Sequence, residues 1–243
     1  MTDAVLLTEN RGPVRVLTMH RPDKLNALNA DLVHALTDAL LAIQEDDSVH
    51  VVVLAGAGRA FCAGADLSVG RPLTAETRRG NLRHGDHNIA LIKLLARTDK
   101  PIIAAVHGYA LGAGCGLAFG SDLVLAAESA RFGYPELKRG LAATTVTAHA
   151  VHLLGRKVAF EMLTLCENME PKRAYELGMV NRVVADAALM DTAMELANTL
   201  AGWHPDALWQ TKRVFQRAVM MGPEQSLEMA RDTAVMMGRL PTP

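Results

Sequence analysis

The chain has 243 residues, with 25 lysines and arginines against 26 aspartates and glutamates, and it is 50% hydrophobic and only 4% aromatic. A net charge of −1 offers no cationic field for nucleic acid or an anionic membrane, and no apolar run approaches the about 20 residues of a membrane span. Composition therefore predicts one globular domain, or a core with a small extension, that binds neither nucleic acid nor membrane.

The start of the chain carries no basic stretch followed by a long apolar one, so we expect no secretory signal and a cytoplasmic location. Three cysteines, Cys62, Cys115 and Cys166, cannot all pair with one another, and none has the spacing of a metal-ligand motif. They are predicted to be small buried thiols, and nothing in the sequence calls for a metal.

The first elements are a predicted hairpin and a helix. Residues 5–8 and 14–19 are predicted strands on either side of the turn-rich residues 10–13. From the suitable N-cap Asn29, apolar residues recur at helical spacing as far as residue 43, which predicts a helix of about four turns.

Runs of β-branched and other apolar residues then predict buried strands at 49–55, 101–106 and 122–127. Strands separated by helical segments indicate an α/β core with much parallel pairing. Residues 71–87 break the pattern with four arginines and two acids, and are expected to form a mobile, solvated segment.

After residue 184 the pattern is helical, with predicted helices at 187–200, 205–220 and 223–237. Eight of the 12 methionines lie from Met179 onward. Methionine is a flexible filler of cores but also suits a helix-lined subunit interface, and the sequence leaves both interpretations open.

Two segments rich in small residues, 59–67 and 107–116, each follow a predicted strand. Small residues let a ligand approach the backbone and leave amide N–H groups to face it, although tight turns with close packing would need the same residues. Gly112, Gly114 and Gly116 have G-x-G-x-G spacing in mid-chain, which does not match a dinucleotide-binding motif.

These segments also carry a family resemblance. RPDKLNALN (21–29), AFCAGADL (60–67), the stretch 100–140 and PKRAYELGMVNRVV (171–184), in this order and spacing, resemble the crotonase superfamily, the enoyl-CoA hydratase/isomerase family. The resemblance implies an α/β fold, a crotonase-like spiral of ββα units with a C-terminal helical region. Residues 1–185 would form the acyl-CoA-binding catalytic core, and 186–243 a helical region that assembles a homotrimer or a dimer of trimers.

The resemblance further implies an acyl-CoA thioester substrate, with coenzyme A as part of the substrate and no other cofactor. The backbone N–H groups of Ala65 and Ala113 would hold the thioester oxygen, which stabilises an enolate, and Glu136 would move the proton. The residues expected to bind the substrate and its CoA portion are Lys24, Ala27, Leu28, Ala63, Gly64, Ala65, Asp66, Leu67, Gly112 and Ala113.

The activity depends on a missing side chain. Relatives that hydrate a double bond carry two glutamates; the second matches Glu136, but the first matches Gly116. A single carboxylate suffices to shift a double bond from 3-enoyl-CoA to 2-enoyl-CoA, which is the leading prediction. Hydration of 2-enoyl-CoA, with water in the space at Gly116, is the close alternative, and a non-catalytic acyl-CoA-binding protein is the other.

Two variable segments are expected to shape the acyl pocket, residues 73–92 and the loop 141–147. The loop has no carboxylate, which argues against dehalogenation and against isomerisations that use an aspartate there. His84 and His87 lie in the first segment, where a solvated loop histidine and a catalytic one are both conceivable.

Overall fold

The computed structural model describes residues 4–69, 74–238 and 240. In this part of the chain β1 (Leu6–Arg11) and β2 (Val14–Met19) form the predicted antiparallel hairpin, with the first strand reaching three residues further than expected. The other strands are β3 (Val51–Gly56), β4 (Ile102–Val106), β5 (Tyr109–Leu111), β6 (Leu123–Ala127), β7 (Arg131–Gly133) and β8 (Arg182–Val184).

Parallel pairing dominates the sheets, as the sequence predicts. The larger sheet has the order β1-β2-β3-β4-β6-β8, and every pair after the first is parallel. Its central strands are buried on both faces: Val52 and Leu54 face one hydrophobic cluster while Val51 and Val53 face the other. Burial on both faces explains why these strands are continuous apolar runs in the sequence. Strands β5 and β7 form a small parallel sheet of their own.

The helices cover both faces of the larger sheet. Helix α1 begins after Asn29, whose side-chain oxygen accepts a hydrogen bond from the Leu32 N–H at 3.0 Å, so the predicted N-cap is confirmed. The bounds are α1 (Ala30–Gln44), α2 (Ala75–Arg97), α3 (Ala113–Phe119), α4 (Thr144–Leu154), α5 (Arg156–Leu165), α6 (Pro171–Glu176), α7 (Leu189–Ala201), α8 (Pro205–Ala218) and α9 (Pro223–Met237).

The segment 71–87, expected to be mobile and solvated, is helical from residue 75 onward, where it forms the first half of helix α2; residues 71–73 lie outside the described part of the chain. Thr74 caps the helix, and it forms a reciprocal capping box with Thr77. The C-terminal half of α2 is anchored by Leu91 and Leu95, which are buried one turn apart in the core.

The three predicted C-terminal helices are confirmed as α7, α8 and α9. Leu189, Ala193 and Ala197 form the buried face of α7 and pack on the larger sheet. Helix α8 is attached to the core by Lys212, whose Nζ donates to the Lys100 carbonyl at 2.9 Å. None of the described helices is long and apolar enough to cross a membrane.

Candidate active site

A cavity of about 510 Å³ opens beside the start of α3, between α2 and α4. Its wall is mostly apolar, and Glu136 is the one acidic side chain among its described lining residues. The lining consists of Leu28, Ala63, Gly64, Ala65, Leu67, Gly85, Asn88, Ile89, Leu91, Ile92, Lys93, Gly112, Ala113, Gly116, Tyr134, Pro135, Glu136, Arg139, Leu141, Ala142, Thr144, Thr145, Val146, Ala148 and His149.

The segment 21–29 is held against the end of β3 by one buried side chain. The Asn26 amide donates to the carbonyls of Ala57, at 2.9 Å, and Ala60, at 2.8 Å, and its oxygen accepts from the Arg21 N–H at 2.8 Å. Asn26 has a positive φ of 54°, a conformation that asparagine tolerates better than most residues. These hydrogen bonds of Asn26 hold the segment so that Leu28 lies beside the cavity.

Backbone pairing directs the Ala65 N–H away from Leu28. The Leu28 N–H donates to the Gly64 carbonyl at 2.8 Å, and the Asp66 N–H donates to the Leu28 carbonyl at 3.0 Å. In this parallel bridge Gly64 and Asp66 bond to Leu28, and the N–H of Ala65 between them points away from Leu28. Among the described residues no acceptor takes the Ala65 N–H, which leaves it available on the cavity side.

The second amide comes from Ala113, the first residue of α3. N–H groups of a first helical turn have no partner within the helix, and within the described ranges no other acceptor takes that of Ala113. The two segments approach closely because Gly64, with φ at 90°, has no side chain: a Cβ there would lie 2.6 Å from the Leu111 oxygen and 3.5 Å from the Ala113 nitrogen. Both amides therefore line one end of the cavity, as an oxyanion site requires.

The Glu136 carboxyl group lies beside these amides. Its Oε1 is 2.7 Å from the position of a Cβ on Gly112, and its Oε2 is buried without a hydrogen-bond partner among the described residues. Burial raises the pKa of Glu136, while a hydrogen bond from backbone and the positive charge of Arg139 partly oppose the rise. A carboxyl group with a raised pKa can take a proton from a substrate and return it.

The structure brings most of the predicted binding residues together. Seven of the ten line the cavity together with the predicted catalytic Glu136, namely Leu28, Ala63, Gly64, Ala65, Leu67, Gly112 and Ala113. Lys24, Ala27 and Asp66 do not: the Asp66 carboxylate accepts from the Ser68 hydroxyl at 2.6 Å and pairs with Arg21 at 2.9 Å. Hydrogen bonds from Ser68 and then Arg21 hold the pKa of Asp66 below its ordinary value, although its burial opposes them.

His84 and His87 lie in a helix and not in the loop that was expected. His84 and His87 both belong to helix α2; the side chain of His84 lies outside the described part, and His87 is exposed, with its Nδ1 3.3 Å from Nε2 of His34. His87 is absent from the cavity wall, whereas His149, which the sequence analysis did not single out, belongs to it. No local motif marks His149, because its place depends on how α4 packs over α3.

The three cysteines are buried and free, as predicted. Burial raises the pKa of the Cys62 thiol to about 12 and also raises that of Cys115, so neither is a nucleophile at neutral pH. No group of three histidine, cysteine or acidic side chains in the described ranges is arranged to hold a metal ion.

Comparison with known sequences decides the family. The sequence model described as enoyl-CoA hydratase/isomerase matches residues 9–237. The chain belongs to the enoyl-CoA hydratase/isomerase family. A crystal structure of an enoyl-CoA hydratase from Mycobacterium smegmatis superposes with a TM-score of 0.91 and 34% identity, covering 96% of this chain and 90% of that one. The predicted crotonase fold is confirmed.

Relatives within the enoyl-CoA hydratase/isomerase family carry several activities. The short-chain-enoyl-CoA hydratase of Clostridium acetobutylicum is 35% identical over 91% of this chain and 85% of its own length. The 1,2-epoxyphenylacetyl-CoA isomerase of Escherichia coli is 34% identical over 98% of this chain and 92% of its own. The carnitinyl-CoA dehydratase of Salmonella enteritidis is 34% identical, with 95% and 87% covered. The chain is thus a crotonase-type enzyme.

Proposed function

We propose that this enzyme shifts the double bond of a 3-enoyl-CoA to give the 2-enoyl isomer. The observation that carries the proposal is one half-buried carboxyl group, Glu136, in a mostly apolar cavity beside the free N–H groups of Ala65 and Ala113. Such a site has one group to move a proton and two donors to stabilise the enolate oxygen that forms.

In the proposed reaction the Glu136 carboxylate removes a proton from C2 of the 3-enoyl-CoA. The electron pair of the C2–H bond delocalises onto the thioester oxygen, where the N–H groups of Ala65 and Ala113 stabilise the dienolate. The Glu136 carboxylic acid then returns its proton to C4, and the double bond closes between C2 and C3. One donor of this kind contributes about 10²–10³ in rate.

Hydration of 2-enoyl-CoA is the second candidate. It is favoured by the names of the relatives, several of which are enoyl-CoA hydratases. It also needs a group that holds water, and Gly116 supplies none. The imidazole of His149 on the cavity wall is the side chain on which a hydratase activity would depend.

The test compares the parent enzyme with Glu136→Gln on 3-enoyl-CoA and 2-enoyl-CoA. We expect isomerisation to fall by about 10²–10⁴, because glutamine cannot accept the proton. Glu161→Gln, an exposed glutamate on α5 away from the cavity, is the matched control and should keep full activity. Isomerisation that survives in Glu136→Gln would contradict the proposal, and CoA-ester binding without turnover by the parent would favour a non-catalytic role.

We also propose that the enzyme acts in the cytoplasm as a homotrimer or a dimer of trimers, with residues 1–185 as catalytic core and 186–243 as the assembling region. Support for assembly comes from the late methionines: Met179 is buried, but Met220 and Met236 are 85% and 86% exposed. Core filling does not explain side chains so exposed, whereas methionine is enriched in subunit interfaces.

A further inference from the structure

The imidazole of His149 lies where a side chain on residue 116 would extend. A Cβ built on Gly116 would be 3.9 Å from His149 Nδ1 and 3.1 Å from Ile92 Cδ1. The same ring lies over the next turn of α3, with its Cε1 3.6 Å from the Cβ position of Gly120. Helix α4 thus directs a polar nitrogen into the space that the missing side chain leaves.

His149 and Glu136 contact the same face of α3. Glu136 Oε1 is next to Gly112, and His149 Nδ1 is next to Gly116, four residues later; the Gly116 N–H donates to the Gly112 carbonyl at 3.3 Å. Residues four apart lie one above the other, about 6 Å along the helix axis. Groups on adjacent turns of one helix face can be linked through ordered water.

The two groups are free to act on a ligand. Among the described residues no hydrogen bond to the His149 ring is present, and Oε2 of Glu136 is likewise without a partner. The buried Oδ1 of Asn88, which also has no partner among the described residues, belongs to the same cavity. Buried polar atoms of this kind ordinarily bind water or a polar ligand.

We propose that His149 is a second acid–base residue of this site, which holds and deprotonates the water that adds to C3 of a 2-enoyl-CoA. The proposal rests on the proposed acyl-CoA site with Ala65, Ala113 and Glu136. It gives the enzyme a hydratase activity beside isomerisation, through a histidine that takes the place of the missing side chain at Gly116.

Water, His149 and Glu136 act together in the proposed hydration. The water oxygen forms a bond to C3, and its proton passes to a ring nitrogen of His149. The π electrons of the C2–C3 bond move to the thioester oxygen, held by the N–H groups of Ala65 and Ala113. The imidazolium of His149 passes its proton through water to the Glu136 carboxylate, and Glu136 delivers that proton to C2 as the enolate electrons return. His149 is then neutral and Glu136 is a carboxylate, as both were at the start.

The charges around His149 favour its neutral form. Burial lowers the pKa of His149, and repulsion from His152 on the same helix lowers it further. The other titratable groups of the described cavity lining are Tyr134, Glu136 and Arg139 after β7 and Lys93 on α2. A neutral imidazole accepts a proton from water, as a general base must.

The experiment measures hydration and isomerisation side by side in His149→Leu, His149→Gln and the control His152→Leu, at pH 8. We expect His149→Leu to lower kcat for hydration by about 10²–10⁴ and to lower isomerisation much less, because isomerisation uses no water. Glutamine can hold water but cannot take its proton, so His149→Gln should restore the KM for 2-enoyl-CoA more than kcat. His152 is exposed on the same helix and outside the cavity wall, and its variant should hydrate normally.

A rescue variant separates a catalytic role from a structural one. In the His149→Leu background, Gly116→Glu would place a carboxyl group in the space of the lost imidazole once Ile92 shifts slightly, and hydration should recover at least tenfold. Hydration that survives in His149→Leu, an absence of hydration by the parent, or no recovery in a folded double variant that binds CoA ester would overturn the proposal. Isomerisation by the parent and by Glu136→Gln, measured in parallel, distinguishes this failure, because the proposed function fails when the parent does not isomerise or when Glu136→Gln still does.

Discussion

At the scale of single residues, the protonation state of Glu136 controls the reaction. Burial raises the pKa of this carboxyl group above a glutamate's ordinary 4.5. The base in isomerisation is the carboxylate, so activity is present above the raised pKa and is lost as the pH falls through it. We expect the acid limb of kcat/KM to lie above pH 4.5, and a pH–rate profile measures it.

Replacing Arg139 tests whether the pKa of Glu136 sets this pH dependence. Its positive charge lowers the pKa of Glu136 against the larger effect of burial. Arg139→Gln removes that charge, and the acid limb should therefore move to higher pH. A limb that stays at or below pH 4.5 in the parent, or that moves to lower pH in Arg139→Gln, would refute this account.

Two features of the structure at position 112 favour glycine. Its φ of 52° lies in the left-handed region, and a Cβ would lie 2.7 Å from Glu136 Oε1. Gly178, with φ at 74° and nothing within 4 Å of its Cβ position, shares only the first reason. Left-handed strain of about 1–2 kcal/mol should therefore appear in both alanine variants as a lower free energy of unfolding.

Activity should separate the two variants. Gly112→Ala displaces the catalytic carboxyl group, and we expect its kcat to fall at least tenfold, whereas Gly178→Ala should keep parental turnover in its folded fraction. Urea titrations and steady-state rates on the same samples make the comparison. Equal turnover by the two variants would show that the contact with Glu136 is unimportant.

Some residues of the site are predictable from sequence, and others are not. Ala65, Ala113 and Glu136 stand in ordered local motifs, and the structure brings them to one cavity. His149 has no such motif: it reaches Gly116 through the packing of α4 on α3, a contact between residues 33 positions apart. A contact that depends on long-range packing produces no periodic pattern in the amino-acid sequence.

At the scale of elements, the buried strands are predictable from the sequence, whereas the N-terminal half of helix α2 is not. The buried run at 101–106 matches β4 because burial on both faces makes the sequence continuously apolar. Among the described side chains in the N-terminal half of α2, Leu82 and His87 are exposed and none is fully buried, which matches the weak apolar periodicity of this stretch. Its order comes from the cap at Thr74 and from the anchors at Leu91 and Leu95, further along the helix.

The attachment of α8 depends on an ion pair at the core. Lys212 Nζ donates to Asp122 Oδ2 at 2.6 Å, and the two side chains are only 5% and 18% exposed. Asp122→Asn leaves the buried ammonium without its counter-charge, and we expect a loss of about 3–5 kcal/mol in the free energy of unfolding. Lys212→Met should cost less, because Asp122 keeps the Ile102 N–H as a donor at 2.7 Å.

An exposed pair provides the control for this effect. Arg231 and Asp232 are 67% and 68% exposed, so Asp232→Asn should change stability by less than about 0.5 kcal/mol. Urea denaturation of the three variants and the parent measures all four free energies. Equal losses in Asp122→Asn and Asp232→Asn would show that α8 does not depend on the buried pair.

At the scale of the whole molecule, the net charge of the chain gives no information about its ligand. The chain is almost neutral, and the candidate site is made of backbone amides and one carboxyl group inside an apolar cavity. The apolar side chains left exposed are informative at this scale, since α8 and α9 carry several of them, including Phe215, Leu227 and Val235 at 60%, 73% and 76% exposure. We expect large apolar side chains left this exposed on two helices to serve an association site.

Assembly of the chain into trimers can be tested on those helices. Because charged groups are costly to bury in an interface, the double variant Met220→Glu/Met236→Glu should dissociate the assembly while the fold persists. Sedimentation equilibrium of the parent should give three or six times the 26.1 kDa of one chain, and the variant should approach a single chain. Leu41→Glu, at an exposed position on α1 far along the chain from both helices, should sediment like the parent. A parent that sediments as a monomer at micromolar concentration, or a double variant that stays assembled, would show that these methionines serve no subunit interface.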